Sequence, residues 1–249
     1  MTGHPVEFRQ ATFRFGARTV LGGLNITVET GETLVLLGRS GSGKTTALRL
    51  INGMLRPSSG TVLVRGRATT EWDAVQLRRS IGYVIQEGGL FPHWTVARNV
   101  GLVLELENQV PERRQARVTA LLELVGLPAG EYANRLPREL SGGQRQRVGV
   151  ARALAAGASI LLFDEPFGAL DPVTRLGMQE EFLRLREALG ITSVFVTHDV
   201  REAMRLATRI GLLDHGALVF AGTPAEFGGS THPEARAFLR VLEVDSHAS

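Results

Sequence analysis

The stretch Gly38-Arg39-Ser40-Gly41-Ser42-Gly43-Lys44-Thr45-Thr46 constrains this chain more than any other. It fits the pattern G-x-x-x-x-G-K-[ST] at every fixed position. The apolar, strand-like run Thr33-Leu34-Val35-Leu36-Leu37 precedes it, and Leu48, Ile51 and Leu55 recur behind it at helical spacing. A strand that runs into a glycine-rich turn and then a helix bares backbone N–H groups to an anion at the helix N-terminus. Lys44 is expected to reach the β- and γ-phosphates of a nucleotide, and the Thr45 hydroxyl to hold Mg²⁺. Lys44 is also the only lysine among 28 basic residues. The planar fork of arginine cannot replace a compact ammonium threaded into a phosphate cradle. The pattern predicts a nucleotide site on an α/β fold.

A length of 249 residues suits one large α/β domain, with or without a subdomain. The balance of 43% hydrophobic and 21% charged residues is that of a soluble globular protein. No apolar run approaches the ~18 residues of a membrane span, and the first residues carry no secretion signal. The absence of cysteine removes disulfides, thiolate metal sites and cysteine nucleophiles. A cytoplasmic location is the consistent expectation. The net charge of +3 is spread over scattered arginines, without a basic cluster interleaved with aromatics, so no nucleic-acid partner is expected.

Val6–Arg9 and Leu24–Val28 alternate apolar and polar, as in a half-buried antiparallel sheet. Phe15 lies between them and reads, on periodicity alone, equally well as a core residue. Strands follow at Thr61–Val64 and Ile81–Ile85, the latter ending at Gln86. The loop Glu87–Trp94 then brings Leu90, Phe91 and Trp94 into an otherwise mobile segment, and the pattern is helical from Val96 to Val125, with a start signal at Pro111-Glu112. Residues 87 to about 157 therefore form a helical insertion between two parts of an α/β core, about 1–86 and 158–249. The insertion closes with Leu140-Ser141-Gly142-Gly143-Gln144 and a helix marked by Val148, Ala151 and Leu154. Ser141 suits an N-cap, and the glycines bare a second helix N-terminus. A plain capping turn and an anion site are both open on these residues.

Ser159–Phe163 is a near-continuous apolar run that delivers Asp164-Glu165-Pro166 to the end of a parallel strand. Two adjacent carboxylates there suit a division of labour, one serving a metal and the other the attacking water. Asp171-Pro172 starts a helix. Ile191–Val196 is another buried strand, and it places His198 at the sheet edge where α/β proteins bind ligands. Ile210–Leu213 and Ala217–Phe220 form a closing hairpin.

Together these residues resemble the nucleotide-binding subunit of ATP-binding cassette (ABC) transporters over nearly the whole chain. Leu140-Ser141-Gly142-Gly143-Gln144 looks like the family's signature sequence, Ile160–Pro166 like its Walker B strand, and Ala169-Leu170-Asp171 like its D-loop. Gln86 resembles the Q-loop glutamine and His198 the switch histidine, while Phe15 takes the place of an aromatic that stacks on adenine. Arg39 departs from the proline frequent at that loop position. The resemblance implies a P-loop ATPase core with a mainly parallel sheet, an N-terminal antiparallel β-subdomain and an inserted helical subdomain. It implies a head-to-tail dimer or paired cassette, in which the P-loop of one chain faces Ser141-Gly142-Gly143 of the other around ATP. Glu165 would be the general base, Asp164, Thr45 and Gln86 would serve Mg²⁺, and His198 would contact the γ-phosphate. Integral membrane permease subunits would dock against Leu90, Phe91 and Trp94, with an extracytoplasmic solute-binding protein as an indirect partner. The chain would sit peripherally on the inner face of the membrane. An intrachain hydrophobic plug is the competing reading of those three residues.

The run Leu77-Arg78-Arg79-Ser80-Ile81-Gly82-Tyr83-Val84-Ile85-Gln86 followed by Gly89-Leu90-Phe91-Pro92-His93 most resembles importer cassettes for glycine betaine, choline and related quaternary amines. About 27 residues follow the last strand-turn segment, so no appended regulatory domain is expected. Alternatives are an exporter or lipoprotein-release cassette and a soluble cassette ATPase acting on nucleic acid or the ribosome. The latter is disfavoured by the short interval of about 54 residues between Gln86 and Leu140, which holds no heptads.

Overall fold

The computed structural model describes residues 3–85 and 89–246, with side chains as far as residue 242. It divides into two compact units, Met1–Leu77 with Gly190–Ser249, and Arg78–Leu189. The expected fold class holds.

The first unit carries an antiparallel sheet built from β1 (Val6–Phe15), β2 (Arg18–Val28), β4 (Ser59–Val64) and the short β5 (Arg67–Ala68), in the order β2-β1-β4-β5. Val6 pairs with both Val28 and Val64, and all three side chains are fully buried. The same unit holds β3 (Thr33–Leu37) between the parallel strands β8 (Thr192–Thr197) and β9 (Arg209–Asp214), with β10 (Ala217–Gly222) antiparallel at the edge. Every residue of β3 and β8 is buried, as strands covered on both faces require, whereas β10 is half exposed. Helix α1 (Lys44–Ile51) follows β3. It is shorter than the spacing of Leu48, Ile51 and Leu55 predicts, because Asn52 caps it and Gly53 turns into the left-handed region at φ 66°. Helix α8 (Val200–Leu206), α9 (Pro224–Gly228) and α10 (Pro233–Ser246) complete the unit.

Helix α2 (Ala74–Ser80) spans the division and leads into the second unit. There β6 (Ile81–Ile85) pairs in parallel with β7 (Ile160–Asp164), Ile85 lying opposite Asp164. The insertion folds as α3 (Val96–Leu106), α4 (Pro111–Leu124), α5 (Ala129–Tyr132) and α6 (Gly142–Leu154), and α7 (Pro172–Leu189) follows β7. The helical pattern from Val96 to Val125 is two helices, parted where Asn108 takes φ 55°. Val100 and Leu104 of α3, Val118 and Leu122 of α4, and Val148 and Leu154 of α6 are buried together as the core of this bundle. Arg117 of α4 donates to the Leu154 carbonyl at 3.0 Å and the Ala155 carbonyl at 3.5 Å, satisfying the C-terminal end of α6. Behind β7, Phe163 meets Phe182 of α7 edge-on, with ring centroids 5.4 Å apart.

Candidate functional site

In the first unit, β3 delivers Gly38 to the start of the glycine-rich loop and Gly43 caps α1. Gly43 sits at φ 100°, and a Cβ on it would lie 2.7 Å from Leu21 Cδ2 and 2.9 Å from the Val20 carbonyl oxygen of β2. Only glycine fits there. The Lys44 side chain is 5% exposed and folds back along its own loop, Nζ donating to the Gly38 carbonyl at 2.7 Å and the Arg39 carbonyl at 2.8 Å. Ser42 Oγ is buried and has no protein partner. A buried hydroxyl without a partner costs free energy unless a ligand or water completes it, so a buried ammonium and an orphan donor face the same small loop. Ser40 and Gly41 are exposed, and Thr45 and Thr46 are half-buried on the first turn of α1. Arg39 makes a bidentate ion pair with Glu234 of α10, 2.5 Å from Nε to Oε1 and 3.3 Å from the second guanidinium nitrogen to Oε2. That pair answers the departure from proline at this position: the side chain ties the loop to the C-terminal helix.

His198 lies in the same unit. The register sets Leu37 of β3 against Thr197 of β8, so Gly38 and His198 leave adjacent strands at one edge. The buried Thr197 hydroxyl donates to Glu202 at 2.6 Å and accepts from the Asp199 amide at 3.0 Å, while Asp199 accepts from the Arg201 amide at 2.8 Å. These bonds fix the turn that presents His198, which is exposed. Phe15, at the end of β1, is 79% exposed, which excludes the core reading.

In the second unit, Asp164 ends β7 and accepts a hydrogen bond from the Tyr83 hydroxyl at 2.9 Å. Glu165 follows with φ 47°, the left-handed region that costs a non-glycine residue about 1–3 kcal/mol. Leu140 is buried. Ser141 caps α6 in a reciprocal box: its Oγ accepts from the Gln144 amide at 3.2 Å, and Gln144 Oε1 accepts from the Ser141 amide at 2.9 Å. Gln144 Nε2 also donates to the Tyr132 hydroxyl at 3.1 Å. A Cβ on Gly143 would lie 2.6 Å from Thr174 Cγ2, and one on Gly142 would lie 3.3 Å from Leu170 Cδ2. Gly142 and Gly143 therefore lie close against Leu170 and Thr174, the first in the segment Ala169-Leu170-Asp171 just before α7 and the second in its first turn. Asp171 caps α7, accepting from the Val173 amide at 3.1 Å and the Thr174 amide at 3.0 Å. Hydrogen bonding by Thr174 holds the Asp171 carboxyl below the usual carboxylate range. Gln86 lies outside the described residues.

The loop from Leu90 to Trp94 is more tightly held than a mobile segment. Asn99 of α3 is fully buried beneath it, accepting from the Phe91 amide at 2.8 Å and donating to the Phe91, Trp94 and Thr95 carbonyls, each at 3.1 Å. Phe91 and Trp94 stack with centroids 4.3 Å apart, and the Arg98 guanidinium covers the Trp94 ring at 4.3 Å. Phe91 is 38% exposed and Leu90 and Trp94 are half-buried, so the cluster lies on the surface and is not an internal plug. Sequence reasoning missed Asn99, Tyr83 and Glu234.

A cradle around a buried lysine and a second glycine-started helix together define a nucleotide-binding cassette. The sequence profile of the family described as ABC transporter matches residues 21–168, and the chain belongs to that family. It is 49% identical over 211 residues to the glycine betaine/carnitine/choline transport ATP-binding protein of Bacillus subtilis, covering 85% of this chain and 55% of that protein. It is 47% identical over 219 residues to the glycine betaine uptake system ATP-binding protein of Escherichia coli, covering 88% of this chain and 71% of that protein. The chain thus spans about half the length of the first of these relatives. Among solved structures, a dimeric ATP-binding cassette in a post-hydrolysis state bound to ADP and Pi matches with a TM-score of 0.77 and 34% identity, over 88% of this chain and 98% of that one.

The Asp171 cap makes a pH-dependent contribution. A carboxyl whose folded pKa is depressed adds stability above its unfolded pKa, ordinarily 3.8, and loses it as pH falls through the lower folded value. Asp171→Ala is expected to lower the melting temperature at pH 7, with the gap to wild type narrowing as pH drops below about 4. Melting curves between pH 7 and pH 3 check this, and an equal gap throughout contradicts it.

Proposed function

We propose that this chain is the ATP-hydrolysing subunit of a membrane importer whose solute is glycine betaine, choline or another quaternary amine. The observation that carries the ATPase reading is the loop that holds the Lys44 ammonium on its own carbonyls, with an unpartnered Ser42 hydroxyl beside it. The names of the relatives support the solute class. Two such chains pair head to tail, the loop Gly38–Thr46 of one closing on Ser141-Gly142-Gly143 of the other.

In this reading the amides of Gly41 to Thr46 and the Lys44 ammonium bind the β- and γ-phosphates, and Phe15 stacks on the adenine. Glu165 accepts the proton of the attacking water. His198 holds the γ-phosphate and Asp171 meets the opposite cassette. Thr45, Asp164 and Gln86 would serve Mg²⁺, their oxygen donors being of the kind taken by a hard cation that binds through one or two carboxylates, water and substrate phosphates. No group of three or more His, Cys, Asp or Glu side chains placed to hold a metal occurs among the described residues. When bound, Mg²⁺ neutralises charge developing on the transferred phosphoryl oxygens.

No helix among the described residues is long and apolar enough to cross a membrane. Membrane passage in this reading belongs to permease subunits, which dock on Leu90, Phe91 and Trp94 at the cytoplasmic face and receive solute from an extracytoplasmic binding protein. An aromatic cluster whose backbone is pinned by Asn99 offers such a partner a preorganised anchor.

Glu165→Gln is expected to leave ATP affinity intact and to slow hydrolysis about 10²-fold or more. A phosphate-release assay checks this, and near-normal turnover removes Glu165 from the role of base. In the reconstituted transporter, choline or glycine betaine with its binding protein is expected to stimulate ATP hydrolysis. Failure of every quaternary amine in that assay ends the solute assignment.

A further inference from the structure

Tyr83 stands two residues before the end of β6, and Asp164 is the last residue of β7. The parallel register pairs Tyr83 with Leu162 and Ile85 with Asp164. Alternation along the strands puts Tyr83, Ile85, Leu162 and Asp164 on one face of the pair. Asp164 is thus the diagonal neighbour of Tyr83, displaced toward the carboxyl end of the strands. Diagonal neighbours are separated by about 7–8 Å, a gap that long side chains span. The tyrosine ring crosses it and its hydroxyl donates to Asp164 Oδ2 at 2.9 Å. Both side chains are half-buried, where a hydrogen bond to a carboxylate is stronger than in open water.

We propose that Tyr83 is a positioning residue for the metal-bearing carboxylate. The terminal torsion of an aspartate is broad and roughly two-fold, so an untethered carboxylate rotates freely enough to blur its metal geometry. The phenol holds Oδ2 and thereby helps to set the plane in which the carboxylate offers its oxygens. Mg²⁺ demands near-ideal octahedral geometry, so an oriented carboxylate, or the water it holds, binds it better than a rotating one. Phenylalanine has the same shape and packing but no hydroxyl to supply the restraint. The proposal rests on the nucleotide reading above and goes beyond it, since that reading is silent on how Asp164 is held.

The test compares full-length wild type with Tyr83→Phe. Binding of a fluorescent ATP analogue in EDTA reports the nucleotide site without metal. Mn²⁺ binding in the presence of a non-hydrolysable ATP analogue, followed by the paramagnetic resonance of free Mn²⁺, reports the metal site. Tyr83→Phe is expected to weaken Mn²⁺ binding about 10-fold, within the range for residues that orient metal ligands, with nucleotide affinity in EDTA unchanged. Equal Mn²⁺ affinity in the two proteins overturns the proposal. So does a parallel loss of nucleotide affinity in EDTA, which would mean that the tyrosine supports the fold and not the carboxylate. If wild type itself binds no nucleotide in EDTA, the nucleotide reading fails first and this proposal falls with it.

Discussion

A lysine ammonium cannot be buried without partners, and the partners of Lys44 include two carbonyls of the loop that carries it. An unpaired ammonium there would cost many kcal/mol on burial, so the chain must close around it. That closure explains much of the first unit. β3 must be covered on both faces to bring the loop to a fixed point, and all five of its residues are buried. The loop must pass so close to β2 and β9 that side chains are excluded: a Cβ on Gly43 would meet Leu21 and Val20, and one on Gly38 would lie 2.3 Å from the Leu213 carbonyl oxygen. The antiparallel sheet and the parallel strands therefore clasp one loop from two directions. A phosphate entering this cradle would find its cation already in place, which is the economy of a preorganised site.

The second unit uses a helix N-terminus again, in a different state. Ser141 and Gln144 cap each other, so the start of α6 is stable on its own, and Gly143 lies tight under Thr174 of α7. The start of α6 and the segment that leads into α7 are thereby packed against one another. Glu165, held at φ 47° ahead of Pro166, stores strain between that segment and the end of β7. In the proposed mechanism these features meet a neighbouring cassette, so each chain contributes two halves of different sites.

What the sequence made legible is what is encoded locally. The run Thr33–Leu37, the glycine-rich loop, Ser159–Phe163 before two carboxylates, and the Ser141 and Asp171 caps each carry their signal within about ten residues. The fold class followed from them. Contacts between distant segments carry no such signal. Tyr83 and Asp164 are 81 residues apart, and Arg39 and Glu234 are 195 apart, so neither pair could be seen by pattern. Asn99 reads as an ordinary polar helix residue until its four bonds to the loop above are seen. The helix from Pro224 was legible and overlooked: Thr223-Pro224-Ala225-Glu226 is a capping box with proline at the first helical position. Leu55 failed the helical pattern because Gly53 turns the chain first, a case of a stop signal outweighing apolar spacing.

In the proposed function the loop around Lys44 is half a site, completed by Ser141 of a second chain. Because the chain has no cysteine, one thiol can be placed at will. Ser40 and Ser141 are both exposed and suit single substitutions. Protein carrying only Ser40→Cys is mixed with protein carrying only Ser141→Cys, and a short bis-maleimide is added with ATP in EDTA, with ADP, or without nucleotide. A covalent pair of the two chains is expected to form with ATP and to be scarce in the other two conditions. No cross-linked pair, or the same yield with and without ATP, would contradict it.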